Sequence, residues 1–98
     1  MNDLTVFKFE GTREVRAVIK DGEPWFVAKD ICDILGIQNT SDAVRNLDDD
    51  ELVSEKAISG GQVREMLCVS ESGLYALVMR SNKPQAKAFL YRKSREMD

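Results

Sequence analysis

The sequence predicts an α+β fold, a small and mostly antiparallel sheet packed with short helices, including a helix-turn-helix-like pair and two C-terminal helices. Three observations carry this. Apolar and polar residues alternate with period two over residues 4–9 and 13–20. The dipeptides Asp21-Gly22 and Gly60-Gly61 punctuate apolar runs as hairpin turns do. Helical spacing bounded by capping residues then appears around residues 28–47 and again after Ser70.

Taken in order, Thr5, Phe7 and Phe9 share one face of a first strand, and Leu4, Val6 and Lys8 the other. Gly11-Thr12 marks a turn. In a second strand Val15, Ala17 and Ile19 oppose Arg16, Val18 and Lys20. After Asp21-Gly22, Pro24 leads into Trp25, Phe26 and Val27, which suit a half-buried strand. Helix follows almost at once. Ile31, Ile34 and Leu35 fall on one face, Asp30 and Asp33 are expected near the positive end of the dipole, and Gly36 suits a left-handed C-terminal position before Ile37 folds back. A second helix can be capped by Asn39, Thr40 or Ser41, with Ala43, Val44 and Leu47 as its apolar stripe. Two short helices joined by a glycine-containing turn form the helix-turn-helix candidate.

The acidic run Asp48-Asp49-Asp50-Glu51 disfavours a helix C-terminus and reads as a solvated loop rather than a cation site. Residues 52–58 and 63–69 form two arms of a hairpin around Ser59-Gly60-Gly61-Gln62. Ser70 caps a helix whose stripe is Leu74, Leu77 and Val78; Pro84 opens a last helix packing through Ala86, Phe89 and Leu90. Gly73, in the first turn of the earlier helix, points to close packing against another backbone or to a bend at the cap.

The block containing Gly22, Trp25, Phe26, Val27, Asp30, Ile31, Leu35 and Gly36 resembles the N-terminal domain of the BRO family of viral and prophage proteins, many of them phage antirepressors. A second block, Ser70 to Leu77 with Arg80, Ser81, Pro84, Ala86, Lys87 and Phe89, resembles it in the expected order. The resemblance implies one BRO N-terminal-like domain over 1–98 and DNA binding in a phage or prophage regulatory setting. Family members usually carry a tryptophan after the position of Phe89 and often a C-terminal domain; neither is visible here, so an isolated or truncated N-terminal module is expected.

Composition fits one domain of 98 residues, 43% hydrophobic, large enough to fold without disulfide or metal. Cys32 and Cys68 lie in apolar patterns and read as buried thiols of a reduced protein. No signal peptide or apolar run of about 20 residues appears, which predicts a soluble, cytoplasmic protein of the bacterial host cell without membrane contact. The absence of histidine removes the commonest general base and most zinc sites, so no enzyme, catalytic residue, metal or cofactor is expected.

Net charge is −3, against an indiscriminate nucleic-acid binder, but its distribution is uneven. Residues 1–50 hold six Lys and Arg against eleven Asp and Glu, whereas Arg80, Lys83, Lys87, Arg92, Lys93 and Arg95 follow one another without an acid. Should the domain bind double-stranded DNA, phosphate contacts are expected from Arg80, Lys83, Lys87, Arg92 and Arg45, with base-edge or positioning contacts from Asn39 and Thr40. The bland readings are a solvated basic face and two ordinary core helices. The alternative function is an interaction module that inactivates a phage repressor protein without touching DNA. A homodimer is a further expected partner state, through apolar area on a late helix. Trp25 is expected to be mostly buried against Ile31 and Leu35, with Trp25→Ala costing about 3 to 5 kcal/mol.

Overall fold

The structure, a computed structural model, describes residues 4–8 and 13–81. Expectations for Phe9, for the Gly11-Thr12 turn and for a last helix bearing Ala86, Phe89 and Leu90 lie outside them. Strands β1 (Leu4–Lys8), β2 (Glu14–Lys20) and β3 (Glu23–Val27) form a meander, and β4 (Leu52–Ser59) and β5 (Gln62–Val69) a hairpin closed by Gly60-Gly61. All pairings are antiparallel and the order is β1-β2-β3-β5-β4. Helices α1 (Ala28–Leu35), α2 (Thr40–Val44) and α3 (Glu71–Ser81) complete the described α+β fold.

The helices pack on one face of the sheet. Ile31, Ile34 and Leu35 of α1 and Leu74, Leu77 and Val78 of α3 meet Val15, Ala17, Phe26 and Val69 from the strands, with Val44 of α2 closing the layer. The stripes read from spacing for α1 and α3 are therefore the buried ones, whereas of the stripe expected for α2 only Val44 is fully buried, Ala43 and Leu47 lie at the margin and Leu47 falls beyond the helix. Phe7 of β1 adds an edge-to-face contact to Phe26, ring centroids 5.5 Å apart.

The opposite face curls on itself. β2 and β4 are separated in the sheet by β3 and β5, yet Lys20 Nζ lies 2.9 Å from Glu55 Oε1 and an Arg16 guanidinium nitrogen donates to Ser59 Oγ at 3.1 Å. Inside this curl sits a smaller apolar cluster of Val18, Val27, Ala57 and Cys68, with Leu4, Trp25, Val53 and Met66 at its margin. Trp25 is thus placed differently from the sequence expectation. Adjacent strand residues face opposite ways, and it is Phe26 that meets the helices, while Trp25 lies half-buried in the curl with the Lys20 ammonium 6.0 Å from its ring centroid.

Turn chemistry fixes how the helices enter and leave. Gly36 has φ 73°, and Ile37 N–H donates back to Cys32 C=O at 2.8 Å, the closing bond of a Schellman end that tucks Ile37 against the core. Asp30 does occupy the first turn of α1, but Asp33 falls in the last, where Lys29 is 3.6 Å away. β3 runs directly into α1, and Gly36 ends the helix as the sequence predicts.

The acidic run is a structural corner. Asp49–Glu51 form a 3-10 turn in which Asp48 N–H donates to Glu51 Oε1 at 3.1 Å. Glu51 also accepts from Ser72 Oγ at 2.8 Å, and its backbone carbonyl accepts Ser70 N–H at 3.0 Å. Hydrogen bonds from the Asp48 backbone and the Ser72 hydroxyl hold the Glu51 carboxyl below its ordinary range. Ser70 caps α3 as expected, its Oγ accepting Gly73 N–H at 3.1 Å. Of the two readings of Gly73, close packing is the one observed: a Cβ there would meet the Glu51 carbonyl oxygen at 3.0 Å and Val69 Cβ at 3.1 Å.

Candidate nucleic-acid interface

α1 and α2 form the adjacent helix pair that the sequence suggested, but α2 has only five residues, about 7.5 Å of helix. Only its first turn could enter a DNA groove, where a recognition helix makes its base contacts. Asn39 is the residue that caps it, accepting Asp42 N–H on Oδ1 at 3.1 Å. Its side-chain NH₂ is therefore still a donor, and its carbonyl is committed.

Asn39 and Arg80 are brought together. Both line a groove of about 420 Å³ between α2 and the end of α3, with Asp42 and Asn46 on one wall, Ser81 on the other and Leu77 below. Arg80 has no carboxylate within ion-pair distance among the described residues, although Glu51 lies within its electrostatic reach. Arg45 is not in this groove; it is paired with Asp42 one turn back along α2, which neutralises part of its charge. Lys83, Lys87 and Arg92 lie outside the described residues.

Thr40 separates from its neighbour. It faces a second groove, of about 480 Å³, on the other side of α2, shared with Lys29 of α1 and with Arg64, Met66 and Leu67 of β5. Its side chain lies close enough to Cys32 to offset part of the rise that burial imposes on that thiol. The four described candidates thus divide: Asn39 and Arg80 share a groove, Arg45 is held by Asp42, and Thr40 belongs elsewhere.

Three features were missed by the sequence reading. The Arg16 backbone N–H and Nε donate to Asp30 Oδ2 at 2.9 and 2.8 Å, and a second guanidinium nitrogen donates to Oδ1 at 2.8 Å. Burial alone would raise the Asp30 carboxyl, but the Arg16 hydrogen bonds and charge outweigh it and hold the group below its ordinary value. This link pins the start of α1 to β2. Lys29 and Arg64, which meet at the second groove, are the other two. No local motif joins residues so far apart in the chain, so periodicity offered no signal for any of them.

Nucleophilic chemistry finds little support. Both cysteines are free and buried; burial raises the Cys32 thiol and pushes Cys68 up to about 11, so both are protonated at neutral pH. Among the described residues no cluster of His, Cys, Asp or Glu could hold a metal, and no helix is long and apolar enough to cross a membrane.

The family model for the BRO family, N-terminal domain, matches residues 14–92. An uncharacterized protein of Haemophilus influenzae is 33% identical over 69 residues, which are 69% of this chain and 34% of that protein. The chain accordingly spans about a third of the length of that curated relative. No solved structure matches. The match covers β2 through α3 and the segment beyond, both grooves included, and on this ground the chain belongs to the BRO family through its N-terminal domain.

Proposed function

We propose that this is a duplex-DNA-binding regulatory domain of the phage or prophage antirepressor type. The observation that supports it is the groove shared by Asn39 and Arg80, far apart in sequence and of complementary use: an amide that can donate to a base edge or phosphate, and a guanidinium suited to phosphate. In the sequence α3 is followed at once by Lys83, Lys87 and Arg92, so the cationic stretch begins where this groove ends. Asp42 in the groove and the net charge of −3 weaken phosphate attraction, and the expected affinity is modest and salt-sensitive.

The test is a fluorescence titration with operator-rich phage DNA at several salt concentrations, for wild type and for Arg80→Ala with Lys87→Ala. Loss of two phosphate contacts lowers the salt slope by about two units, nearly uniformly across sequences. Salt-dependent binding left unchanged by the double substitution refutes these sites while keeping the function. Absence of binding at low salt, together with a stable complex with a cognate repressor, replaces this reading with the interaction module, which the acidic surface favours. A two-fold dimer belongs to the same proposal, since Met79 stands 73% exposed on α3. Light scattering that finds only monomer at high micromolar concentration removes it.

A further inference from the structure

The polar side chains of the groove between α2 and α3 are not equally free. Asn39 commits its carbonyl to the Asp42 N–H, Asp42 is paired with Arg45, and Ser81 Oγ donates to the Val78 carbonyl at 3.1 Å. Asn46 is different. Its side-chain amide has no partner among the described residues, so it is the amide of this groove that keeps both its carbonyl oxygen and its NH₂ open. The backbone beneath it is fixed. Val44 is buried in the helix-side core, Leu47 packs against that core, and Leu47 N–H donates to Val44 C=O at 3.1 Å. Asn46 lies exposed in the turn that these two anchors close, seven positions from Asn39 and so close to two helical turns along the same wall. Standing beyond α2 rather than within it, Asn46 is not limited by the shortness of that helix.

We infer that Asn46 is the base-reading residue of this groove, and that the base it reads is an adenine in the DNA major groove. The inference rests on the duplex-DNA reading proposed above. On its major-groove edge adenine presents N7 as an acceptor and its N6 amino group as a donor, and a side-chain amide with both functions open meets them with two hydrogen bonds. Guanine offers two acceptors there, cytosine a donor, and thymine an acceptor beside a methyl group, so each leaves part of the amide unpaired. Asn39 cannot make this pair without giving up the cap of α2, and Arg80, which can only donate, suits a phosphate. The Arg45 guanidinium offsets part of the charge of Asp42, the carboxylate on this wall. Arg80 thus supplies attraction, Asn39 holds the helix start, and Asn46 supplies sequence preference.

Selection by the whole chain at low salt from a pool of duplexes with a randomised centre tests this for wild type, Asn46→Ala and Asn46→Asp. Wild type enriches adenine at one position about tenfold or more over the other bases. Asn46→Ala loses that preference, while its salt slope on the duplex selected by wild type is unchanged, since no phosphate contact is removed. Asn46→Asp moves the preference at the same position to cytosine, because a carboxylate accepts from the cytosine N4 amino group and has no proton for adenine N7. Both variants keep the wild-type thermal midpoint, because the side chain is exposed and has no hydrogen-bond partner among the described residues. Adenine still enriched by either variant, or wild-type binding without base preference, overturns the assignment of Asn46 and leaves duplex-DNA binding standing. So does loss of adenine by Asn46→Asp without a gain of cytosine. Absence of wild-type binding at low salt overturns both.

Discussion

The two faces of the sheet are stabilised by different means. The helix side is a continuous apolar layer in which Phe26, Leu35 and Leu74 are almost wholly inaccessible, whereas the curled side has a small apolar centre closed over by charged and polar links from β2 to β4. One face resists change through packing. The other has a smaller buried centre, Val18, Val27, Ala57 and Cys68, and the β3–β5 ladder of the sheet stops short where β3 becomes α1. The difference teaches that a Trp-Phe pair on a strand is two separate structural roles, and that the larger ring need not hold the larger core.

The strongest way to break this comparison is to truncate both rings. Phe26→Ala removes a ring from the packed side and costs about 3 to 5 kcal/mol. Trp25→Ala, at the half-buried margin of the curl, costs about 1 to 2 kcal/mol, since only part of its surface leaves water. Urea denaturation of both variants decides it; equal losses, or a larger loss for Trp25, would return the indole to the main core.

Gly73→Ala comes next. The added methyl would press on the Glu51 carbonyl, which is already held by Ser70 N–H, so the 3-10 turn must shift or α3 must lift, at about 1 to 3 kcal/mol. Trp25 lines a groove together with Asp50 of that turn and Glu71 and Ser72 of α3, so its fluorescence should report the displacement alongside a lowered unfolding midpoint. A neutral or stabilising Gly73→Ala would show that the contact relaxes freely.

The Arg16 link carries the smallest and most pH-dependent term. Asp30 has a folded pKa below its unfolded value of about 3.9, so its stabilisation is fully present above that value and is lost as pH falls through the lower, folded one. Stability should be flat in this term between pH 5 and 7 and should decline below about pH 4. Asp30→Asn should cost about 1 to 2 kcal/mol at pH 7 and flatten the acid decline, measured by denaturant midpoints across that range. An unaltered acid profile would assign the decline to other carboxylates.

These contrasts also mark what the sequence could convey. Gly36, Ser70 and the Gly60-Gly61 turn announce their geometry through local chemistry, and the stripes Ile31, Ile34, Leu35 and Leu74, Leu77, Val78 through spacing. Gly73 could be read as a close approach, though not against which carbonyl. Trp25 could not be placed, because alternation separates it from Phe26 without saying which face the helices cover. Asn39 and Thr40 were likewise expected together but line two different grooves, since the cap residue and the first residue of α2 point in different directions. The link between Arg16 and Asp30 and the broken ladder of β5 depend on tertiary placement and have no local signature.

The proposed DNA contacts lie in the groove between α2 and α3, which Trp25 and Arg64 do not line. The most direct measurement is an amide NMR footprint of duplex phage DNA on the whole chain at low and moderate salt. The account predicts shift changes centred on Asn39, Asp42, Asn46 and Arg80 that shrink as salt rises, with Trp25 and Arg64 undisturbed. Shifts confined to Trp25 and Arg64, or none at low salt, would contradict it.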